Sequence, residues 1–236
     1  MESPDPSVAP KSPAEAQATR LFGLTLVLGL VAALIVLGLL SWLASEMLAG
    51  ETRDFDSLVR DAVHGAASPG MTRVMEWVTL LGGPVGLVPL GLALALLFYR
   101  LGWKRAAVRL AVTMLGAGLL ESTLKLGFRR ARPSPFFDYL LPSSFSFPSG
   151  HALFAFCFFA VLAALLTRRV ARRAARAAVW ATAVVLILAI SISRVYLGVH
   201  YPTDVVAGWG VGFVWVIAVA FGDRAVARIQ RRRAHA

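Results

Sequence analysis

Two residues late in the chain have the types and spacing needed for nucleophilic catalysis. His200 and Asp204 are four residues apart around Pro202, a residue suited to the first turn of a helix. This spacing lets the carboxylate reach the imidazole across the helix start. An imidazole with a carboxylate partner is the arrangement of a nucleophile with the group that orients it.

A second motif, Pro148-Ser149-Gly150-His151, precedes an apolar stretch that predicts a helix. Ser149 and Gly150 are therefore expected at the helix start, where unpaired backbone N–H groups and the positive end of the helix bind phosphate oxygens. Gly150 carries no side chain, so an anion can approach the backbone closely.

Cations follow the predicted ends of two other apolar stretches: Lys125, Arg129, Arg130, Arg132 and Arg194. Lys125 and Arg132 are seven residues apart, two helical turns or about 10.5 Å, so both are predicted to project from one helix face before Pro133 ends the helix. Two such cations can hold one anion from one side. The arginine fork suits phosphate because it binds two oxygens at once.

These residue types together favour phosphoryl transfer, in which the protein positions the phosphate and neutralises its charge. A metal site built from His151, His200 and Asp204 is the alternative, since imidazole and carboxylate are common ligands. The neighbouring cations argue against it because they already supply the positive charge that a metal would bring. We therefore expect no metal and no cofactor.

The segments that must position these residues are strongly apolar. Of the 236 residues, 58% are hydrophobic and 16% are charged, which is typical of a membrane protein. The uncharged run 21–43 is long enough to cross a bilayer as a helix. Five more candidate spans follow at 77–99, 106–128, 152–166, 177–193 and 205–221. The sequence thus predicts an all-α bundle of six transmembrane helices.

The net charge of +11 is unevenly distributed along the chain. Most of the 24 Lys and Arg residues fall in four alternate segments: 11–20, 100–109, 168–176 and 224–233. The positive-inside rule then predicts that both termini are cytoplasmic and that the candidate catalytic residues lie on the outer face of the cell membrane. The basic clusters are interpreted as topology determinants and anionic-lipid contacts, and no nucleic-acid partner is expected.

The predicted organisation is one membrane domain, 20–223, between two cytoplasmic tails. Residues 1–19 are rich in Pro, Ser and Ala and are expected to be disordered, and residues 224–236 form a basic tail. Residues 52–65 predict an amphipathic helix on the outer surface. Gly82-Gly83-Pro84 predicts a break in the second span. Cys157 is expected to be a buried, inert thiol.

Three motifs give the chain a family resemblance: Lys125-x6-Arg132-Pro133, Pro148-Ser149-Gly150-His151 and Ser193-Arg194-x5-His200-x3-Asp204. They resemble, complete and in order, the signature motifs of the type 2 phosphatidic acid phosphatase superfamily. The resemblance implies that His200 attacks phosphorus, that Asp204 orients His200 and that His151 protonates the leaving oxygen. It assigns phosphate binding to Lys125, Arg132, Ser149, Gly150 and Arg194.

The resulting hypothesis is a metal-independent lipid phosphatase that acts through a phosphohistidine. Its partner is a phosphorylated membrane lipid such as undecaprenyl diphosphate, phosphatidylglycerophosphate or phosphatidic acid. The alternatives are a lipid phosphotransferase and a non-catalytic transporter or scaffold. The motifs also resemble those of vanadium haloperoxidases, but six apolar spans fit a lipid substrate better. The oligomeric state stays open.

Two further questions stay open in the sequence. Glu121 lies four residues before Lys125, so it either holds that lysine or faces water at the helix end. Arg129 and Arg130 either contact a second anionic group of the substrate or anchor the helix among the lipid head groups.

Overall fold

The computed structural model describes residues 13–137 and 139–234, and these form helices and connecting loops. The helices are α1 (Pro13–Ala49), α2 (Arg53–Gly65), α3 (Pro69–Gly82), α4 (Pro84–Arg100), α5 (Lys104–Phe128), α6 (Gly150–Leu166), α7 (Arg173–Tyr196) and α8 (Pro202–Ala234). The predicted all-α class is confirmed for the described ranges.

Four of these helices are long and apolar enough to cross a membrane. They are α1 from Gly23 onward, α5, α7, and α8 as far as Gln230. Helix α6 and the Pro89–Arg100 part of α4 are apolar but shorter. The chain is therefore a membrane protein with four candidate spans within the part that the structure describes.

Helix α6 lies at the centre of the bundle, where it packs against α5, α7 and α8. Glycines on α8 allow the two helices to approach closely. A Cβ added at Gly208 would lie 2.7 Å from the carbonyl oxygen of Ser149, and one at Gly212 would lie 3.1 Å from the Cβ of Phe156. These contacts mean that α6 and α8 run in the same direction and begin in the same layer. Cys157 on α6 is buried, as predicted.

Helix α1 packs along α8 in the antiparallel direction. Gly29 of α1 contacts Phe221, and Gly210 of α8 contacts Leu40, so the start of one helix lies beside the end of the other. Many of the apolar side chains between residues 24 and 48 of α1 are exposed, with Leu34 at 58% relative exposure. An apolar surface of this kind suits a helix that faces lipid.

The helix ends form two layers. In the first layer, Arg105 at the start of α5 is paired with Asp223 of α8 at 2.9 Å. In the second layer α5 and α7 end, α6 and α8 begin, and α2 lies beside α8. We call the first layer the arginine end, for Arg105 and Arg109, and the second the histidine end, for His151 and His200. The polar residues of all three motifs belong to the histidine end.

Helices extend into both predicted tails. Helix α1 begins at Pro13, so the expected disorder does not extend over residues 13–19. Proline is tolerated in a first helical turn, and the following Ala and Glu residues favour a helix. Residues 1–12 lie outside the described residues. At the other terminus, residues 224–234 continue α8.

The predicted break in the second span is present. Gly83 separates α3 from α4 with extended backbone angles, and Pro84 begins α4. By contrast, the prediction that a helix continues to Arg132 is wrong. Helix α5 ends at Phe128, where Arg129 adopts a left-handed conformation with φ 48°. Pro133 disfavours a helical conformation for Arg132, so the chain turns away before it.

Candidate active site

His200 and Asp204 form a buried pair at the start of α8. His200 Nδ1 lies 3.4 Å from Asp204 Oδ2, and the same oxygen accepts the backbone N–H of Tyr201 at 2.9 Å. The hydroxyl of Ser146 also donates to this oxygen. The carboxylate is thus fixed by its neighbours and can accept a proton-bearing Nδ1. In that tautomer the lone pair of the imidazole is on Nε2.

Arg132 lies on the other side of the imidazole. Its Nη1 atom is 3.0 Å from His200 Nε2. The guanidinium is fixed by donation to the carbonyl oxygens of Ser144 at 2.7 Å and Val199 at 2.8 Å. Because a guanidinium can only donate, Nε2 accepts this hydrogen bond. An oxyanion that takes over the N–H of Arg132 would therefore lie beside His200 Nε2.

The protonation states of this pair suit an anion. Burial lowers the pKa of His200 from 6.5 to about 4, which keeps the imidazole neutral near pH 7. Burial, together with the positive charge of Arg194, lowers the pKa of Arg132 to about 10. Arg132 remains charged at that pH, so a neutral imidazole lies beside a cationic guanidinium.

Lys125 reaches the same region from the last turn of α5. Its Nζ atom is 3.2 Å from Ser144 Oγ, the atom to which Arg132 donates at 3.1 Å. Lys125 also pairs with Glu121 at 2.7 Å. This contact answers the first open question, because Glu121 holds Lys125 while remaining partly exposed.

Gly150 brings the start of α6 against this ion pair. A Cβ at Gly150 would overlap with Glu121 Oε1, so a larger residue would displace the carboxylate. The expected free N–H at Ser149 is wrong, because that group donates to the carbonyl oxygen of Asp204 at 2.9 Å. Among the described residues the buried Ser149 hydroxyl has no hydrogen-bond partner. The side chain of Ser149, rather than its backbone N–H, is therefore available to a ligand.

Arg194 is buried in the last turn of α7. Its Nη1 donates to the hydroxyl of Thr79 on α3, and its Nε finds no partner within the described part of the chain. The backbone carbonyl of Arg194 accepts the N–H of Val199 at 3.1 Å, which links α7 to the segment that carries His200.

His151 faces the break between α3 and α4. Its Nε2 atom lies 3.2 Å from the position that a Cβ would occupy on Gly83. A glycine at the break therefore leaves the space that this imidazole uses.

Arg130 and Asp56 complete a network that the sequence did not reveal. Arg130 donates to Asp204 Oδ1 and to Asp56 Oδ2, each at 2.7 Å. Asp56 also accepts both the N–H and the hydroxyl of Thr203. Arg130 therefore bridges two buried carboxylates, a role that differs from both predicted ones, contact with a second anionic group of the substrate and anchoring among the lipid head groups.

The amphipathic helix expected at 52–65 is present as α2, and it carries Asp56 inward. Asp56 is fully buried, whereas Phe55 and Leu58 on the same helix are 54% and 70% exposed. Phe55 and Leu58 thus face outward, whereas Asp56 and Val63 face the bundle. No motif marks Asp56, although an acid between two such apolar residues is a weak signal of an inward-facing partner.

In the described ranges, no group of three or more His, Cys, Asp or Glu residues is arranged to hold a metal ion. What the structure brings together is a histidine–carboxylate pair, three buried or half-buried cations and an unpartnered serine hydroxyl. In an all-α membrane bundle, these are the groups that a membrane-embedded phosphatase needs to bind a phosphate and transfer it.

Comparison with known proteins gives the same class. A profile of the PAP2 superfamily matches residues 106–225, about half of the chain. The chain belongs to this superfamily, the type 2 phosphatidic acid phosphatases, as its motifs indicate. It is a phosphoric ester hydrolase that acts as a membrane lipid phosphatase.

Relatives with lipid substrates are found in bacteria and archaea. Phosphatidylglycerophosphatase B of Bacillus subtilis (strain 168) is 31% identical over 194 residues, which cover 80% of this chain and 94% of that protein. An undecaprenyl-diphosphatase of Sulfolobus acidocaldarius is 34% identical over 125 residues, covering 51% of this chain and 55% of its own.

A solved structure extends the similarity to three dimensions. The crystal structure of a transmembrane PAP2-type phosphatidylglycerolphosphate phosphatase from Bacillus subtilis matches with a TM-score of 0.75 at 29% identity. The match covers 82% of this chain and 96% of that chain.

Proposed function

We propose that this protein hydrolyses a phosphomonoester or diphosphate of a membrane lipid through a phosphohistidine at His200, without a metal. The observation that carries the proposal is the 3.0 Å contact between Arg132 Nη1 and His200 Nε2. Asp204 lies on the opposite, Nδ1 side of the same ring. In this structure the Nε2 lone pair accepts the N–H of Arg132. A phosphate that takes over this N–H would lie next to the lone pair and release it for attack.

The phosphate oxygens would be bound from several elements of the histidine end. Lys125, Arg132 and Arg194 supply positive charge, and Ser149 and Gly150 supply the hydroxyl and the helix start. This cage stabilises the charge on the equatorial oxygens during transfer. The unpartnered atoms of Ser149 and Arg194 support it, because a buried polar atom without a partner is costly unless a ligand satisfies it.

The reaction would proceed in two steps. In the first, His200 Nε2 forms a bond to phosphorus, the bond to the lipid oxygen breaks, and His151 gives that oxygen a proton. In the second, His151 takes a proton from water, whose oxygen attacks phosphorus and releases His200. Asp204 stabilises the imidazolium-like intermediate and fixes the ring throughout.

The lipid chain has an apolar groove beside this site. The groove lies between α1, α5 and α8, has a volume of about 320 Å³ and is lined in part by Leu124, Phe128 and Phe147. Leu124 precedes Lys125, so a chain in the groove would bring its head group towards the cations. Two relatives are a phosphatidylglycerophosphatase and an undecaprenyl-diphosphatase, which favours phosphatidylglycerophosphate and undecaprenyl diphosphate as candidate substrates.

For topology, we propose six crossings with both termini in the cytoplasm and the histidine end at the outer face. The four candidate spans, α6, and α3 with α4 would supply the crossings. The cations of the arginine end support this orientation through the positive-inside rule. Residues 20–223 would then be the phosphatase domain, flanked by cytoplasmic segments 1–19 and 224–236.

The test is phosphate release by purified protein from micellar phosphatidylglycerophosphate and undecaprenyl diphosphate in the presence of EDTA. We expect turnover that His200→Gln reduces by about 10⁴-fold or more, because the variant lacks the bond-forming atom. His64→Gln is the matched control, since His64 is exposed on α2 and stacks on Phe136. When the phosphate of the lipid is radiolabelled, acid should release the label that is bound to His200, because a phosphorus–nitrogen bond is acid-labile.

Two outcomes would contradict the proposal. Substantial turnover by His200→Gln would show that His200 is not the nucleophile. Loss of activity with EDTA that a divalent metal restores would remove the metal-independent mechanism.

A further inference from the structure

A large basic cavity lies at the arginine end, far from the proposed active site. It has a volume of about 790 Å³, and seven of its thirteen lining residues are Lys or Arg, against one Asp. Arg109 and Lys125 on α5 are separated by 16 residues, so the cavity is about 24 Å along the helix from the catalytic cations.

The single acid of the cavity is already neutralised. Arg105 Nη2 donates hydrogen bonds to Asp223 Oδ1 and to the backbone carbonyl oxygen of Asp223, each at 2.9 Å. Arg169 lies over the ring of Trp103, with 3.4 Å from Cζ to the ring centroid. The other cations that line the cavity come from α5, the α6–α7 loop and α8, and Asp223 is the one carboxylate among the lining residues.

Arg109 distinguishes this cavity from a group of cations that only sets topology. Its side chain lines the cavity and is 6% exposed, yet Nε and Nη1 are buried without a hydrogen-bond partner among the described residues. The positive-inside rule needs cations in water, and it gives no reason to bury a guanidinium. Leaving two charged N–H groups unsatisfied is costly, and a bound anion would remove that cost.

We propose that this cavity is a second anion site, which binds a phosphate group through Arg109 with Arg168 and Arg224 at its rim. Phosphate is the fitting chemistry because several planar guanidiniums converge and each can donate to two oxygens. The phosphate belongs either to the head group of an anionic lipid in the adjacent leaflet or to a soluble phosphate. The site does not depend on the catalytic assignments, because none of its residues takes part in them.

Lipid binding by the detergent-purified protein, measured by native mass spectrometry, tests the site. Phosphatidylglycerol is the probe, since it carries a phosphodiester and no terminal phosphate, and phosphatidylcholine is the uncharged comparison. We expect Arg109→Gln to weaken phosphatidylglycerol binding by about tenfold, the loss of a charge-assisted contact. Arg173→Gln is the matched control, because Arg173 is exposed nearby and does not line the cavity.

A parallel measurement separates the two sources. Inorganic phosphate should raise the melting temperature of the protein. The part of this increase that Arg109→Gln removes is due to binding in this cavity. If Arg109→Gln reduces the stabilisation by phosphate but binds phosphatidylglycerol as the wild type does, the ligand is a soluble phosphate. If Arg109→Gln loses phosphatidylglycerol binding, the ligand is the lipid head group. If Arg109→Gln does not fold, the same two measurements are made on the double variant Arg168→Gln/Arg224→Gln. Wild-type binding of both probes by the folded variants would overturn the proposal.

Discussion

Arg130 donates to Asp204 Oδ1 at 2.7 Å, so the carboxylate beside His200 belongs to a chain of charges that continues to α2. The next member of this chain is Asp56, which accepts the other end of the guanidinium. Burial lowers the pKa of Arg130, but Asp204 and the hydrogen bond to Asp56 outweigh it and raise that pKa above its ordinary value. A fixed positive charge thus holds one oxygen of Asp204 while the other faces the imidazole.

This chain predicts that Asp56 acts on catalysis at a distance. Asp56→Asn keeps the shape but removes the charge that holds Arg130, so Asp204 loses a rigid partner. We expect kcat to fall by about 10- to 100-fold with little change in KM, as for other residues that orient a catalytic group. The measurement is steady-state phosphate release at saturating lipid.

The matched control is Asp54→Asn, because Asp54 is exposed on the same helix. It should have the kcat of the parent. A purely structural role for Asp56 would instead lower the melting temperature and leave the kcat of the folded fraction intact, and that result would contradict positioning.

Gly83 predicts a defect that depends on the leaving group. The backbone of Gly83 is extended, with φ −81°, so alanine fits there, but its Cβ would lie 3.2 Å from His151 Nε2. Displacing a general acid costs about 10²-fold or more when the leaving oxygen is basic. We expect Gly83→Ala to slow hydrolysis of a lipid phosphomonoester far more than that of p-nitrophenyl phosphate, whose leaving group needs no proton.

Gly91→Ala serves as the control for this experiment. Gly91 lies on α4, and its added Cβ would make an ordinary 3.8 Å contact with Phe158. Equal slowing of both substrates by Gly83→Ala would argue that His151 does not protonate the leaving oxygen.

The sequence could predict the helices and the motif residues because both depend on local signals. Apolar runs predicted every long span, and Gly82-Gly83-Pro84 predicted the break between α3 and α4. The end of α5 was missed because the left-handed turn at Arg129 depends on the loop that follows, in which the N–H of Ser146 donates to Arg130.

The supporting contacts were not predictable for a different reason. Asp56 and Arg130 are 74 residues apart, and no periodicity links a residue on α2 to one in the loop after α5. In the same way, the N–H of Ser149 is expected to be free at a helix start, and only the packing of α8 supplies the carbonyl of Asp204 that binds it. Long-range partners of this kind require the fold.

His200 predicts a dependence of stability on pH. Its pKa is about 4 in the folded protein, while the ordinary value is 6.5, so between these values only the unfolded chain binds the proton. The stabilising contribution is fully present above pH 6.5 and is lost as pH falls towards 4. The stability of the wild type relative to His200→Gln should therefore decrease across this window in denaturant titrations in detergent. A constant difference would show that burial does not keep His200 neutral.

The last prediction concerns the side of the membrane that the histidine end faces. Ser143 is exposed in the loop between α5 and α6, and Ala171 is exposed in the loop between α6 and α7. These loops lie at opposite ends of α6. Cys157, the one cysteine in the sequence, is buried, so the parent protein should not be labelled.

Ser143→Cys should react with a membrane-impermeant thiol reagent in intact cells, and Ala171→Cys only after the membrane is opened. This pattern is expected because reversing the chain would put the cations of the arginine end on the translocated side, against the positive-inside rule. The reverse pattern would place the proposed active site in the cytoplasm. It would then exclude a lipid whose diphosphate is presented outside the cell, and the basic cavity would face the outer leaflet instead of the anionic lipids inside.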